Sequence, residues 1–127
     1  MGRSILIVDD SATTRAFIRR AVRMAGVDAD AVHEAADGAI GLDLLRAHRV
    51  DLVFADLQMP NLDGEQMVRQ MWADPALRRT PVVMVSADPD TDRLEALRAA
   101  GAAGVLRKPF TPEEFSAAVA PLFGGAL

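Results

Sequence analysis

Short apolar runs alternate with segments of helical periodicity along the whole chain. Four runs have the length and composition of buried strands and are bounded by polar or turn-forming residues: 5–8, 52–55, 82–85 and 105–107. A weaker strand is predicted over residues 32–35. Each of these runs is followed by a segment in which apolar residues recur at three- and four-residue spacing, which predicts an amphipathic helix.

Residues that favour helix ends mark the limits of these helical segments. Ser11 and Asp37 precede the first two helices, and Thr111 precedes the last, with a proline next to it and Glu114 at the capping-box position. Gly26 is placed to end the first helix. The apolar positions that define the five helices are Phe17, Ile18, Ala21 and Val22; Ile40, Leu44 and Leu45; Met67, Val68, Met71 and Trp72; Leu94 and Leu97; and Phe115, Val119 and Leu122.

Five strand–helix units in succession predict an α/β fold. Helices that connect parallel strands cross over with a right hand and cover both faces of the sheet. We therefore expect a single domain over residues 1–127, with a core from about 4 to 123. Ligands of such sheets bind beyond the carboxyl ends of the strands.

Polar residues follow four of the predicted strands at those ends. Asp9 and Asp10 come after the first strand, Asp56 after the third, Ser86 after the fourth, and Lys108, the only lysine of the chain, after the fifth. If the strands are parallel neighbours, three carboxylates, a hydroxyl and an ammonium group meet at one edge of the sheet. The sequence therefore predicts a functional site there.

Three carboxylates at one edge require a cation, because each pair repels by about 4 kcal/mol at 4 Å and an effective dielectric constant near 20. Oxygen ligands without histidine or cysteine favour Mg²⁺, whose coordination a phosphate oxygen often completes. A carboxylate beside Mg²⁺ and a lysine is suited to attack phosphorus and form an acyl phosphate. The lysine ammonium and the serine hydroxyl would then stabilise the transferring oxygens.

Composition and charge limit the classes of partner. No apolar stretch is long enough to span a membrane, no signal-peptide pattern precedes the first strand, and the chain has no cysteine, so we predict a cytoplasmic protein. The net charge of −4 argues against nucleic acid as a partner. Arg15, Arg19 and Arg23 recur at helical spacing, which we interpret as a solvated helix face.

The residues at the strand ends resemble the receiver domain of two-component response regulators, most closely the single-domain CheY-like type. The resemblance extends from residue 5 to about residue 123. It implies a flavodoxin-like, doubly wound fold with strand order 2-1-3-4-5. The motifs that carry it are Asp9-Asp10, Asp56 with Met59-Pro60 and Asp63-Gly64, Ser86-Ala87, and Lys108-Pro109-Phe110.

The resemblance also implies roles for these residues. Asp56 would be the phosphoacceptor, and Ser86 and Lys108 would contact the phosphoryl group. Mg²⁺ would be bound directly by Asp10 and Asp56, through water by Asp9, and by the backbone carbonyl of Gln58. The peptide bond between Lys108 and Pro109 would be cis.

The partners implied by the resemblance are proteins. A sensor histidine kinase or a phosphotransfer protein would supply the phosphoryl group, and a downstream target would bind the face formed by the fourth helix, fifth strand and fifth helix. Catalysis would be limited to self-catalysed phosphorylation and dephosphorylation, so the chain would be a signalling domain and not an enzyme. Val105 departs from the pattern, because many receivers carry an aromatic residue at that position. Because Val105 has no ring, an alternative function stays open, that of a phosphorelay shuttle or a phosphate sink with weak output coupling.

Three other functions compete with this one. An aspartate-nucleophile phosphohydrolase would need a general acid two residues after Asp56, where this chain has Gln58. A flavin or nucleotide binder would need a phosphate-binding loop after the first strand, where Asp9 and Asp10 would repel phosphate. A phosphorylation-independent interaction module would not require the full set of site residues.

Overall fold

The strands and helices alternate strictly along the chain. The computed structural model describes residues 2–87 and 91–123. The elements in chain order are β1 (Arg3–Val8), α1 (Ala12–Met24), β2 (Ala29–Ala35), α2 (Gly38–Ala47), β3 (Leu52–Asp56), α3 (Gly64–Ala73), β4 (Val82–Ser86), α4 (Thr91–Ala100), β5 (Gly104–Arg107) and α5 (Pro112–Val119), followed by a 3₁₀ turn (Ala120–Phe123).

The described strands form one parallel sheet in the order β2-β1-β3-β4-β5. This confirms the α/β, flavodoxin-like class and the strand order. The register pairs Val8 with Ala55, Asp56 with Val85, and Ser86 with Arg107. The carboxyl ends of β1, β3, β4 and β5 therefore lie at one edge of the sheet. The helices that follow β1 and β3 cover opposite faces of the sheet, since Ile18 of α1 and Met67 of α3 belong to different core layers.

The core consists of two layers separated by the sheet. Leu6 and Val8 of β1 face the layer beneath α2, α3 and α4, whereas Ile5 and Ile7 face the layer beneath α1 and α5. Every residue of β3 and β4 is buried. Covering both faces explains why these strands are continuous apolar runs in the sequence and do not alternate with polar residues.

The predicted helix starts are confirmed by side-chain caps. Ser11 accepts a hydrogen bond from the N–H of Thr14, and Asp37 accepts one from that of Ile40. Thr111 and Glu114 form the predicted capping box of α5, with Pro112 in its first turn. Asp63 and Gln66 form a second capping box at the start of α3, which was not among the predicted helix starts.

Two expectations about the first half of the chain require correction. The second strand begins at Ala29, three residues before the predicted start, because β1 offers pairing partners down to Arg3. The arginines of α1 do not form a uniformly solvated face. Arg15 and Arg19 both bind Glu34 of β2, and the Arg15 side chain is only 18% exposed.

The described helices are too short or too polar to cross a membrane. Within residues 2–87 and 91–123, no helix combines the length and apolarity that crossing a bilayer requires. The cytoplasmic location stays a prediction.

Candidate functional site

Three carboxylates meet at the carboxyl edge of the sheet, as the sequence predicted. Asp9 directly follows β1, Asp10 comes next, and Asp56 is the last residue of β3. One ligand oxygen from each lies within 4.8 Å of the others. Asp9 and Asp56 are buried, with 1% and 8% of their surfaces exposed, while Asp10 is exposed to solvent. The cluster is therefore open to an ion on the side of Asp10.

Lys108 inserts its ammonium group between two of these carboxylates. Its Nζ atom lies 2.9 Å from Oδ2 of Asp9 and 3.5 Å from Oδ2 of Asp56. The Lys108–Pro109 peptide bond is cis, as predicted. The backbone N–H of Lys108 donates to the carbonyl of Ser86 at 2.8 Å, which ties the end of β4 to the start of this turn. Ser86 itself is fully buried as the last residue of β4.

The environment of Asp56 raises its pKa. Burial is the largest cause, followed by the negative charge of Asp9. The charge of Lys108 and a hydrogen bond from the N–H of Gln58 to Oδ1 of Asp56, at 3.3 Å, act in the opposite direction without compensating fully. Burial and the neighbouring Asp9 carboxylate therefore make the ionised form of Asp56 costly in the native state.

The raised pKa of Asp56 is expected to make the stability of the protein depend on pH. Because the native pKa of Asp56 exceeds its unfolded value of 3.8, ionisation of Asp56 weakens the native state as the pH rises through the native pKa. Without divalent cations at pH 7, Asp56→Asn is expected to raise the free energy of unfolding by roughly 1 kcal/mol, because it removes a buried charge and its repulsion with Asp9, at the expense of the attraction of Lys108. The gain should shrink as the pH is lowered toward 4.

Urea unfolding in the presence of a chelator at several pH values measures this gain. Asp43→Asn, which removes an exposed carboxylate of α2, is the control and should change the free energy of unfolding by less than about 0.5 kcal/mol. A parent protein more stable than Asp56→Asn at pH 7 would contradict the prediction.

The loop from β3 to α3 is closely packed against the backbone of Asp56. A Cβ atom built on Gly64 would lie 2.2 Å from the carbonyl oxygen of Asp56 and 3.1 Å from Cα of Leu57. The N–H of Gly64 donates to the carbonyl of Leu57 at 3.2 Å. Glycine at position 64 is therefore required by space, and it sets the position of the chain around Asp56.

The same loop is tied to the start of α2. Asn61, which has a φ of 64°, donates from its side-chain amide to Oδ2 of Asp37 at 3.0 Å. The N–H of Gly38 donates to the carbonyl of Leu62 at 2.8 Å. Sequence reasoning assigned Asp37 only a capping role and did not single out Asn61. An asparagine next to a Met-Pro pair was the available signal, because asparagine tolerates positive φ.

The donor set suits Mg²⁺. All three acidic ligands offer oxygen, and Asp10 has no hydrogen bond or ion pair to the rest of the described chain, so its carboxylate is available to an ion. Both oxygens of Asp9 are already engaged, Oδ1 by the N–H of Ser11 and Oδ2 by Lys108. The direct role of Asp10 and the indirect role of Asp9 in metal binding stay predictions.

Comparison with known proteins places this geometry in a family. Residues 5–120 match the family described as the response regulator receiver domain. The chain is 34% identical over 119 residues to the chemotaxis protein CheY of Pseudomonas aeruginosa, with 94% of each protein covered.

Solved structures with the same fold include a response regulator and the receiver domain of a sensor histidine kinase. A response regulator of Chloroflexus aurantiacus superposes with a TM-score of 0.86 at 28% identity, covering 98% of this chain and 99% of that one. The receiver domain of a sensor histidine kinase of Pseudomonas aeruginosa superposes with a TM-score of 0.82 at 29% identity, with 98% and 99% covered, and its structure has a magnesium ion coordinated in the active site cleft. The chain belongs to the response regulator receiver domain family and has the CheY-like form of its fold.

Proposed function

We propose that the protein is a phosphoacceptor of a two-component system, which receives a phosphoryl group on Asp56 and signals through contacts with other proteins. The observation that carries this proposal is the convergence of Asp9, Asp10 and Asp56 on one edge with Lys108 2.9 Å and 3.5 Å from two of their carboxylates. The donor would be the phosphohistidine of a sensor histidine kinase or of a phosphotransfer protein.

Transfer would proceed by attack of an Asp56 carboxylate oxygen on the phosphorus of the phosphohistidine. The new O–P bond forms as the N–P bond breaks, and the electron pair of that bond returns to the imidazole nitrogen. Lys108 would neutralise one transferring oxygen and the Ser86 hydroxyl would donate a hydrogen bond to another. A divalent cation, when bound, supplies the remaining positive charge that the carboxylates and the phosphoryl oxygens need.

The cation in this proposal is Mg²⁺, held by Asp10 and Asp56 directly, by Asp9 through water, and by the backbone carbonyl of Gln58. The magnesium ion in the cleft of the Pseudomonas receiver supports this choice. Asp10→Asn is expected to weaken Mg²⁺ binding at least about tenfold, and Asp9→Asn less, because both Asp9 oxygens already have partners. Calorimetric titration measures the order, and equal affinities for both variants and the parent would contradict it.

Turnover of phosphate esters does not fit the site. Gln58, two residues after Asp56, has an amide side chain that cannot donate a proton to a leaving group. The chemistry proposed for the chain is therefore limited to its own phosphorylation and dephosphorylation.

The phosphoacceptor role can be tested with acetyl phosphate. The protein is incubated with acetyl phosphate and Mg²⁺, and the site of the adduct is located by mass spectrometry. Asp56 is the expected sole site because, among the described carboxylates, it is the one at the end of a strand paired with β4, next to Asp9, Asp10 and Lys108. Full labelling of Asp56→Asn at another residue would overturn the assignment.

Output is proposed to run through the face formed by α4, β5 and α5. Val105 lies there, half-buried against the layer beneath α2, α3 and α4. A β-branched side chain has few rotamers, so it fills this space similarly before and after phosphorylation. This observation favours a shuttle or phosphate sink as the second candidate, because a change in partner affinity requires contacts that differ between two states.

With valine at position 105, we expect phosphorylation to be only weakly coupled to partner affinity. Partner affinity is expected to change less than about fivefold when beryllofluoride is added to the parent, and more in Val105→Tyr, which restores a ring. Affinity for the cognate kinase or target, measured with and without beryllofluoride, checks both. A large beryllofluoride effect in the parent that Val105→Tyr leaves unchanged would show that the missing ring is irrelevant.

A further inference from the structure

Arg15 lies between the acidic site and the outer strand of the sheet. One of its terminal nitrogens donates to the backbone carbonyl of Asp9 at 2.6 Å, and its Nε atom donates to Oε1 of Glu34 at 2.9 Å. With 18% of the side chain exposed, the guanidinium group is largely enclosed. Arg15 thus connects β2 directly to the turn that carries two of the three carboxylates.

Every polar atom of Asp9 has a partner. Its N–H donates to the carbonyl of Ala35 at 3.0 Å, Oδ1 accepts from the N–H of Ser11 and Oδ2 from Lys108, both at 2.9 Å. The bond from Arg15 to the carbonyl completes the set. That carbonyl belongs to the same planar peptide group as the N–H of Asp10, so fixing it restricts the direction in which Asp10 leaves the turn.

Arg15 is itself held in place by an acidic residue that it shares with Arg19. Arg19 donates to Oε2 of Glu34 at 2.8 Å and to the carbonyl of Val32 at 3.2 Å. Burial raises the pKa of Glu34, but the hydrogen bonds and charges of Arg19 and Arg15 together outweigh it, so the net shift is downward. The carboxylate therefore stays ionised and orients both planar guanidinium groups.

We propose that Arg15 is a positioning residue for the cation site, which fixes the Asp9–Asp10 peptide and thereby presets the Asp10 carboxylate toward Asp56. This inference rests on the proposed metal role of Asp10. Residues that orient metal ligands change metal affinity by about 10- to 100-fold when they are replaced.

The charge of Arg15 acts against its positioning role, and this opposition makes the inference testable. A nearby positive charge repels a divalent cation, so neutralising it would tighten Mg²⁺ binding if charge were the only contribution. Loss of the hydrogen bond to Asp9 would weaken binding instead. The sign of the change in affinity separates the two roles.

The experiment is a calorimetric titration of Mg²⁺ into the parent and three variants. Arg15→Met is expected to bind about tenfold more weakly. Arg15→Lys, which keeps the charge but not the planar fork, should also bind more weakly. Arg19→Met is the matched control, because it lies on the same helix and binds the same glutamate but does not contact Asp9, and it should stay within about twofold of the parent.

Three results would overturn the inference: tighter binding by Arg15→Met, unchanged binding by both Arg15 variants, or equal weakening in Arg15→Met and Arg19→Met. Urea unfolding of each variant identifies any that fail to fold, and Arg15→Lys then carries the test. If instead Asp10→Asn binds Mg²⁺ as tightly as the parent, the proposed function itself fails and the inference fails with it.

Discussion

Replacing Gly64 with alanine is expected to lower the free energy of unfolding by about 3 kcal/mol, at the upper end of the usual cost of overpacking. The added Cβ atom would lie 2.2 Å from the carbonyl oxygen of Asp56 and 2.9 Å from its carbonyl carbon. Both atoms are backbone at the end of a buried central strand, so no side chain can move aside to relieve the contact. The expected relief is a shift of the loop away from β3.

Unfolding in urea, followed by circular dichroism, measures this change. Gly104→Ala is the matched control, because Gly104 is also buried but the nearest atom to its added Cβ, on Val83, lies 3.7 Å away. That variant should stay within about 1 kcal/mol of the parent. A Gly64→Ala protein as stable as Gly104→Ala would show that the loop tolerates the displacement.

Replacing Lys108 with methionine is expected to have two effects of opposite sign. Phosphorylation of Asp56 by acetyl phosphate should slow by about 100-fold, the usual consequence of removing one donor to a developing negative charge. Mg²⁺ binding should become tighter, because the ammonium group 2.9 Å from Asp9 and 3.5 Å from Asp56 competes with the metal for the same carboxylates.

The rate of phosphorylation at saturating Mg²⁺ and the calorimetric affinity for Mg²⁺ separate these effects. Arg107→Met removes an exposed charge from the preceding residue and should change neither quantity by more than about twofold. A Lys108→Met protein that is phosphorylated within threefold of the parent rate would contradict the role of Lys108 in transfer.

The sequence was sufficient for the parts of the fold that depend on local pattern. The strands β1, β3 and β4 were predictable because burial on both faces leaves them continuously apolar. The order of the strands was not a local property and came from the resemblance alone. The early start of β2 was missed because its first residues, Ala29 to Ala31, are short and partly polar, and their pairing with β1 decides their conformation.

The carboxylates and the lysine were predictable because parallel strands bring their carboxyl ends to one edge. The residues that position them were not, because their roles arise from contacts between distant segments. In the sequence, Arg15 belongs to a predicted solvated helix face. Its hydrogen bond to Glu34, nineteen residues later, is visible only in the structure. In the sequence, Gly64 indicates only a turn. The need for glycine there becomes evident when the loop packs against the carbonyl of Asp56.

The cluster of three carboxylates at the sheet edge, with the raised pKa of Asp56, implies that a bound cation would couple folding to the ionic composition of the solution. A ligand that binds only the native state stabilises it by mass action, and each tenfold excess of ligand over its dissociation constant adds about 1.4 kcal/mol. An ion that occupies the edge between Asp10 and Asp56 therefore raises the melting temperature in proportion to the logarithm of its concentration. With the proposed Mg²⁺ site, the melting temperature of this chain would be a property of the protein together with its divalent-cation buffer, and a value measured in a chelating buffer would describe the metal-free form.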